Sequence, residues 1–156
     1  MLNNISQIYN ARGDYGTALR YLDQSLAISQ EIGDRAGKGV TFNNIAMIHS
    51  AWGDYDTALK YLVQSLEILR ETGAKVEEGT TLNNISQIYD AQGDHDIALS
   101  YLGQSLAISQ KIGNRAGEAA TLSNMGANHY GRGEYDKALP LYEQSLLQQV
   151  VNNTLL

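Results

Sequence analysis

The sequence predicts an all-α fold, a solenoid of stacked antiparallel helix pairs, and three observations carry that prediction. Gly13, Gly33, Gly53, Gly73, Gly93, Gly113 and Gly133 recur every twenty residues without a miss. Asn153 stands at the next step, and Asn is the residue that most readily replaces Gly in a left-handed helix cap. Between these stops the apolar residues keep a helical period. Phe42, Ile45, Ala46, His49 and Trp52, with Ile48 beside them, follow the i, i+3, i+4, i+7 rule. No segment alternates apolar and polar residues long enough to make a strand.

Taken in order, the stops and the periodicity place helices near 2–12, 15–32, 35–52, 55–72, 75–92, 95–112, 115–132 and 135–152. The fourth shows its apolar stripe in Tyr55, Ala58, Leu59, Leu62, Leu66 and Leu69. Asp34 and Asn114 directly follow stop glycines, and their short acceptor side chains suit an N-cap. Pro140 lies early in the last helix, where it removes at most one or two backbone bonds; deep inside it would cost about 3 kcal/mol or more. Gly37, Gly39, Gly79 and Gly117 fall in first turns, each costing roughly 1 kcal/mol relative to Ala, and those turns are expected to fray first. Gly126 fills a small-residue slot held elsewhere by Ser6, Ala46 and Ser86. Gly16, Gly103 and Gly131 have no purpose legible in the sequence.

Superposing the chain on itself gives a true period of forty, made of two unlike halves. Leu2–Val40 and Leu82–Ala120 agree at 27 of 39 positions, far above chance, and such a period signals a repeat array. The chain therefore reads as a single domain over 1–156 with four repeats, approximately 1–33, 34–73, 74–113 and 114–153, the first lacking its opening residues. No pair can cover its own apolar face alone, so each stacks on its neighbours.

Composition narrows the function. The 156 residues are 43% apolar, too many for a disordered acidic tail, and the uncharged runs are studded with Asn, Ser and Gln, which excludes a membrane span. The opening Met-Leu-Asn-Asn-Ile-Ser-Gln has neither a basic end nor an apolar run, so the expectation is a cytoplasmic protein without a secretory leader. Cysteine is absent, which removes disulfides, thiolate nucleophiles and Cys-based metal sites. Eleven Lys and Arg against 17 Asp and Glu give a net charge of −6, the wrong sign for a phosphate-neutralising surface, so no nucleic-acid partner is expected.

The residues resemble a known family. The pattern apolar-x-Asn-apolar-small-x-x-Tyr/His, then Gly-Asp/Glu-Tyr, Ala-Leu and Ser-Leu, is similar to the tetratricopeptide repeat. In the second repeat it reads Phe42, Asn44, Ile45, Ala46, His49, Gly53, Tyr55, Ala58, Leu62 and Ser65. The forty-residue length and the Ile32–Arg35 joint are similar to repeats of the mitotic-spindle adaptor LGN. The Leu-Asn-Asn-Ile run and Ala-Leu-Pro-Leu-Tyr around Pro140 are similar to kinesin light chain. The resemblance covers essentially the whole chain and implies a right-handed solenoid whose first helices line a concave, protein-binding face.

No constellation for catalysis is visible, and the reading is of a non-enzyme without cofactor or metal. His49 and His129 occupy the slot of Tyr9 and Tyr89, and His95 that of Tyr15, Tyr55 and Tyr135, which reads as packing or turn structure. No His-x-x-x-His, Gly-x-Ser-x-Gly or phosphate-cradling loop occurs, and Gly131-Arg-Gly133 sits where the repeat already needs glycine. Most of the ten tyrosines recur at repeat-locked slots; Tyr130 departs, replacing Asn10, Ser50 and Asp90.

The first helix of each repeat has a free arc. At 100° per residue Val40, Asn43, Asn44, Met47, Ser50 and Ala51 lie within about 120°, opposite the apolar stripe. The equivalents are Asn3, Asn4, Gln7 and Asn10, then Asn83, Asn84, Gln87 and Asp90, then Ser123, Asn124, Ala127 and Tyr130. One slot is Asn in all four repeats: Asn4, Asn44, Asn84 and Asn124. A row of side-chain amides can grip the backbone of an extended peptide, because each both donates and accepts. The family resemblance implies such an asparagine ladder. The alternative is that these amides bond to a neighbouring helix and pin the repeat spacing; both stay open. Candidate peptide-binding residues are therefore Asn4, Asn44, Asn84, Asn124, Asn3, Asn43, Asn83, Gln7, Met47, Gln87 and Tyr130.

None of these slots holds Lys or Arg, and Val40, Thr80 and Ala120 stand where the spindle-adaptor repeats carry Arg. A partner with an acidic tail fits poorly, and a neutral or mildly basic segment fits better. Two other roles remain from the sequence. One is homotypic assembly through exposed terminal helices, prompted by the apolar Val150–Leu156 run. The other is the sensor segment of a larger signalling protein.

Overall fold

The computed structural model describes residues 1–154. They form eight helices: α1 (Leu2–Ala11), α2 (Tyr15–Glu31), α3 (Arg35–Ala51), α4 (Tyr55–Thr72), α5 (Lys75–Gln92), α6 (His95–Ile112), α7 (Arg115–Gly131) and α8 (Tyr135–Thr154). Their contacts divide the chain into two units, Met1–Ala74 and Lys75–Leu156, each with two helix pairs.

Helix length is set by local chemistry at both ends. All seven stop glycines have positive φ, between 69° and 87°, a region that side chains with a Cβ avoid. The residue after each stop then turns the chain into the next helix. Side-chain oxygens of Asp14, Asp34, Asp54 and Asn114 accept from the backbone N–H three residues on, at 2.8–3.3 Å. Asp94 stands in the same slot without such a bond. Asn153 does not stop a helix. It lies inside α8, and no described residue other than glycine has positive φ. A left-handed Asn costs more than a left-handed Gly, whereas continuing the helix adds backbone bonds.

In the first unit Ala18, Leu22, Phe42, Ile45 and Ile48 form the core, with Tyr9, Tyr15, Leu19, Leu26, Tyr61 and Ile68 packed against it. The Tyr9 and Tyr21 rings stack at 5.5 Å, and Phe42 meets Tyr61 at 5.6 Å. The second unit buries Leu82, Ile85, Ile88, Ala98, Leu102, Leu122 and Ala138. Tyr89 and Tyr101 repeat the ring stack there, at 5.7 Å.

A buried hydroxyl pins three of the pairs in the same way. Ser65 donates to the Gly39 carbonyl (2.7 Å), Ser105 to the Gly79 carbonyl (2.9 Å) and Ser145 to the Ala119 carbonyl (2.7 Å). The helices approach so closely that only small residues fit beneath: a Cβ on Gly39 would lie 3.0 Å from Leu69. Gly39 is thus a spacer, whereas a Cβ on Gly79 would make only ordinary contact, 3.5 Å from Ser105 Oγ. Gly126 is also a spacer, since a Cβ there would meet the Tyr142 ring at 3.0 Å. Tyr142 itself stands where Leu22, Leu62 and Leu102 stand in the other repeats, so a larger ring faces a smaller partner.

The three histidines have structural partners. His49 contacts Asp54 (3.3 Å), and His129 contacts Glu134 (2.6 Å), each tying a helix end to the residue after the stop. His95 pairs with Asp90 at 2.7 Å. No cluster that could hold a metal occurs among the described residues, and no described helix is long and apolar enough to cross a membrane.

Candidate functional site

In the second unit α5 and α7 stand side by side, and α6 closes the floor between them. Their first three turns enclose a cleft of about 230 Å³ lined by Asn83, Asn84 and Gln87 of α5, by Ser105 and Ser109 of α6, and by Asn124 of α7. Val76, Gly79, Thr80, Asn114, Gly117 and Ala120 complete it. No lining residue is charged. The adjacent charges are engaged elsewhere: Lys75 pairs with the buried Glu78 at 2.6 Å, and Glu118 accepts from Gln148 at 3.0 Å. Larger hollows, of about 450 Å³ beside Tyr9 and Tyr21 and about 500 Å³ beside Asp56 and Val63, involve only one or two helices.

The two consecutive asparagines of each first helix take different positions. Asn83 turns inward: its Nδ2 donates to the Gly79 carbonyl (3.2 Å), Ser105 Oγ (2.8 Å) and Thr121 Oγ1 (3.0 Å). Its Oδ1 accepts from Asn124 Nδ2 at 3.1 Å. Asn43 is buried in the equivalent slot, and Asn3 Oδ1 lies 3.5 Å from Thr41 Oγ1. Asn83 thus joins three helices, and of the invariant row Asn124 bonds to a neighbouring helix, as the alternative reading of that row expected. Asn84 and Asn124 reach the cleft surface; Asn4 is exposed and Asn44 half-buried in the first unit.

Of the other candidates, Gln87 lines the cleft, Gln7 is exposed on α1 and Met47 is half-buried on α3. Tyr130 is not part of the cleft; it is 60% exposed and packs on Tyr135 at 5.4 Å. Sequence reasoning missed the floor. Ser105 and Ser109 belong to the second helix of the pair, and only the fold carries them beneath the first. The Ser109 slot holds Ser29, Leu69 and Gln149 in the other repeats, and that alternation was the one available signal.

The profile of the tetratricopeptide repeat family matches residues 1–71 and 77–146. The chain belongs to the tetratricopeptide repeat family. Solved structures with the same fold include BtubC of P. vanneervenii (22% identity, TM-score 0.80, covering 97% of this chain and 63% of that one). Aspartyl phosphate phosphatase F of Bacillus subtilis gives a TM-score of 0.88 at 16% identity, covering 97% of this chain and 40% of that one. Nearly identical tetratricopeptide-like repeats of a Podosopora anserina protein described as a kinesin light chain give 0.73 at 20% identity, covering 98% and 75%. At these identities the likeness is one of fold, and the chain spans 63% and 40% of the length of the first two. No curated protein matches the chain. Tetratricopeptide repeats in general mediate contacts between proteins and are non-catalytic binding modules.

Proposed function

We propose that this tetratricopeptide chain is a cytoplasmic, non-catalytic module that binds an extended peptide or protein segment along the polar face of its first helices. The observation that carries the reading is the uncharged cleft where Asn84, Gln87 and Asn124 stand together over a hydroxyl floor. Amides so placed can offer both N–H and C=O to a peptide backbone, which gives affinity with little demand on sequence. Asn4 and Asn44 would extend the contact in the first unit. With a net charge of −6 and no Lys or Arg in the lining, a neutral or mildly basic segment is the fitting partner.

The test replaces Asn44 and Asn84 by Ala and measures binding of segments selected by the wild-type chain from a random peptide display library. Binding should fall at least tenfold while the melting temperature stays nearly constant. Unchanged affinity would refute the proposal.

A second reading has its own observation. Leu139, Leu146 and Val150 are 60%, 62% and 51% exposed along α8, whereas Leu19 and Leu26, in the slots of the first two, pack against the core. That stripe could seat another copy of the chain. Light scattering over a dilution series separates the two readings, because a groove binder stays monomeric without ligand.

A further inference from the structure

The second-unit cleft is more than a stretch of groove wall, and its chemistry selects a side chain. Two glycines open it: Gly79 on α5 and Gly117 on α7 leave bare backbone on facing walls. A Cβ at Gly117 would lie 2.8 Å from Ser109 Oγ and 2.6 Å from Asn114 Nδ2, so any larger residue would intrude on both groups. Ser109 is 97% buried and lines the cleft floor, yet its hydroxyl makes no hydrogen bond to any described residue. Its neighbour Ser105 is satisfied by the Gly79 carbonyl at 2.9 Å. Open to the cleft and without a protein partner, that hydroxyl is left to bond a ligand or water. Beside the same glycine Asn114 Oδ1 accepts from the Gly117 N–H at 3.0 Å. That bond fixes the amide orientation and turns Nδ2, a donor, toward the Gly117 side of the cleft.

The cleft thus offers one donor, Asn114 Nδ2, and one hydroxyl able to accept, Ser109 Oγ, with no charge in the lining. We propose that it takes the primary amide side chain of an asparagine or glutamine from the bound segment. The amide C=O accepts from Asn114, and the amide N–H donates to Ser109. A carboxylate or ammonium would lose its hydration without gaining a counter-charge, and a leucine would leave both polar groups unpaired. The volume, about 230 Å³, equals roughly eight waters at about 30 Å³ each, enough for such a side chain and its backbone link. In the first unit the slots of Ser109, Asn114 and Gly117 hold Ser29, Asp34 and Gly37, so a carboxylate oxygen stands where Asn114 offers its donor.

The assignment rests on the groove reading for the source of the side chain, and two probes keep the two ideas apart. Acetamide, a side-chain amide without a peptide, is titrated into the ¹⁵N-labelled chain, with acetate and methylammonium as comparators. Capped alanine heptapeptides carrying a lysine near each end and Gln, Asn, Leu, Glu or Lys at the centre are titrated separately. Acetamide should bind weakly, in the millimolar range open to so small a ligand, and shift the amides of Gly79, Ser109 and Gly117. Gln- and Asn-centred peptides should bind about tenfold tighter than the others, and Ser109→Ala should erase that preference while leaving the folded spectrum intact. Acetamide shifts without any peptide binding would overturn the groove and leave the amide pocket standing. Peptide binding without amide preference, or a preference that survives Ser109→Ala, would overturn the pocket and leave the groove.

Discussion

Asn124 Nδ2 donates to Asn83 Oδ1 at 3.1 Å, so two asparagines 41 residues apart in sequence join the first helices of neighbouring repeats. Asn83 spends its own donor on α5, α6 and α7 together, while Asn84, one residue on, faces the cleft. A dipeptide that looks like a doubled binding motif is one structural residue followed by one groove residue, because consecutive positions on a helix point about 100° apart.

Replacing Asn83 by Ala should therefore be costly. Ser105, Thr121 and Asn124 each lose a partner inside the packed interface, and about 2–3 kcal/mol of stability should go with them. Asn84→Ala should cost about 1 kcal/mol or less. Urea denaturation of the two variants checks the difference, and equal costs would contradict the division of labour.

The Gly126–Tyr142 contact gives a compensation test. Gly126→Ala gains helix propensity of about 1 kcal/mol but drives a methyl to 3.0 Å from the ring, and overpacking of this kind costs about 1–3 kcal/mol. The double variant Gly126→Ala with Tyr142→Leu restores the pairing of Ala46 with Leu62 and should be more stable than Gly126→Ala alone. A double-mutant cycle by thermal melting reads the coupling.

Glycines of the two kinds should respond with opposite signs. Gly93→Ala forces a Cβ into φ 87° and should lose about 1–2 kcal/mol. Gly103 is exposed within α6, with nothing near its would-be Cβ, so Gly103→Ala should gain about 0.5–1 kcal/mol. Melting temperatures of the pair decide it.

Acid should weaken the helix ends. Hydrogen bonds from the side chain and backbone of Thr57 hold the Asp54 carboxyl below its ordinary 3.8, with His49 helping. The hydrogen bond from His129 holds Glu134 below 4.5, with Lys137 and Arg132 helping. A depressed folded value means stability that is present above the ordinary carboxylate value and lost as pH falls through the folded one. Melting temperature should thus drop below about pH 4. In Glu134→Gln the part of that drop owed to Glu134 should vanish, as melts from pH 7 down to pH 3 would show.

Much of the fold was legible because its instructions are local. Seven glycines at twenty-residue spacing, caps at Asp34 and Asn114, and a 3.6-residue stripe gave helix ends within two residues of those observed. Asn153 misled because cap preference is a tendency that a continuing helix overrides. The groove asparagines were only half legible, since periodicity gives the direction of a side chain but not what stands opposite.

The sequence alone determined helix number, repeat length, family and the absence of Lys and Arg from the groove slots, all properties of short windows repeated at a fixed period. Only tertiary structure decided which asparagine faces inward, why Gly39 and Gly126 are glycine, and that Ser109 lies beneath Gly117. Those facts depend on the distance between helices, and that distance is set by the smallest residues at each crossing.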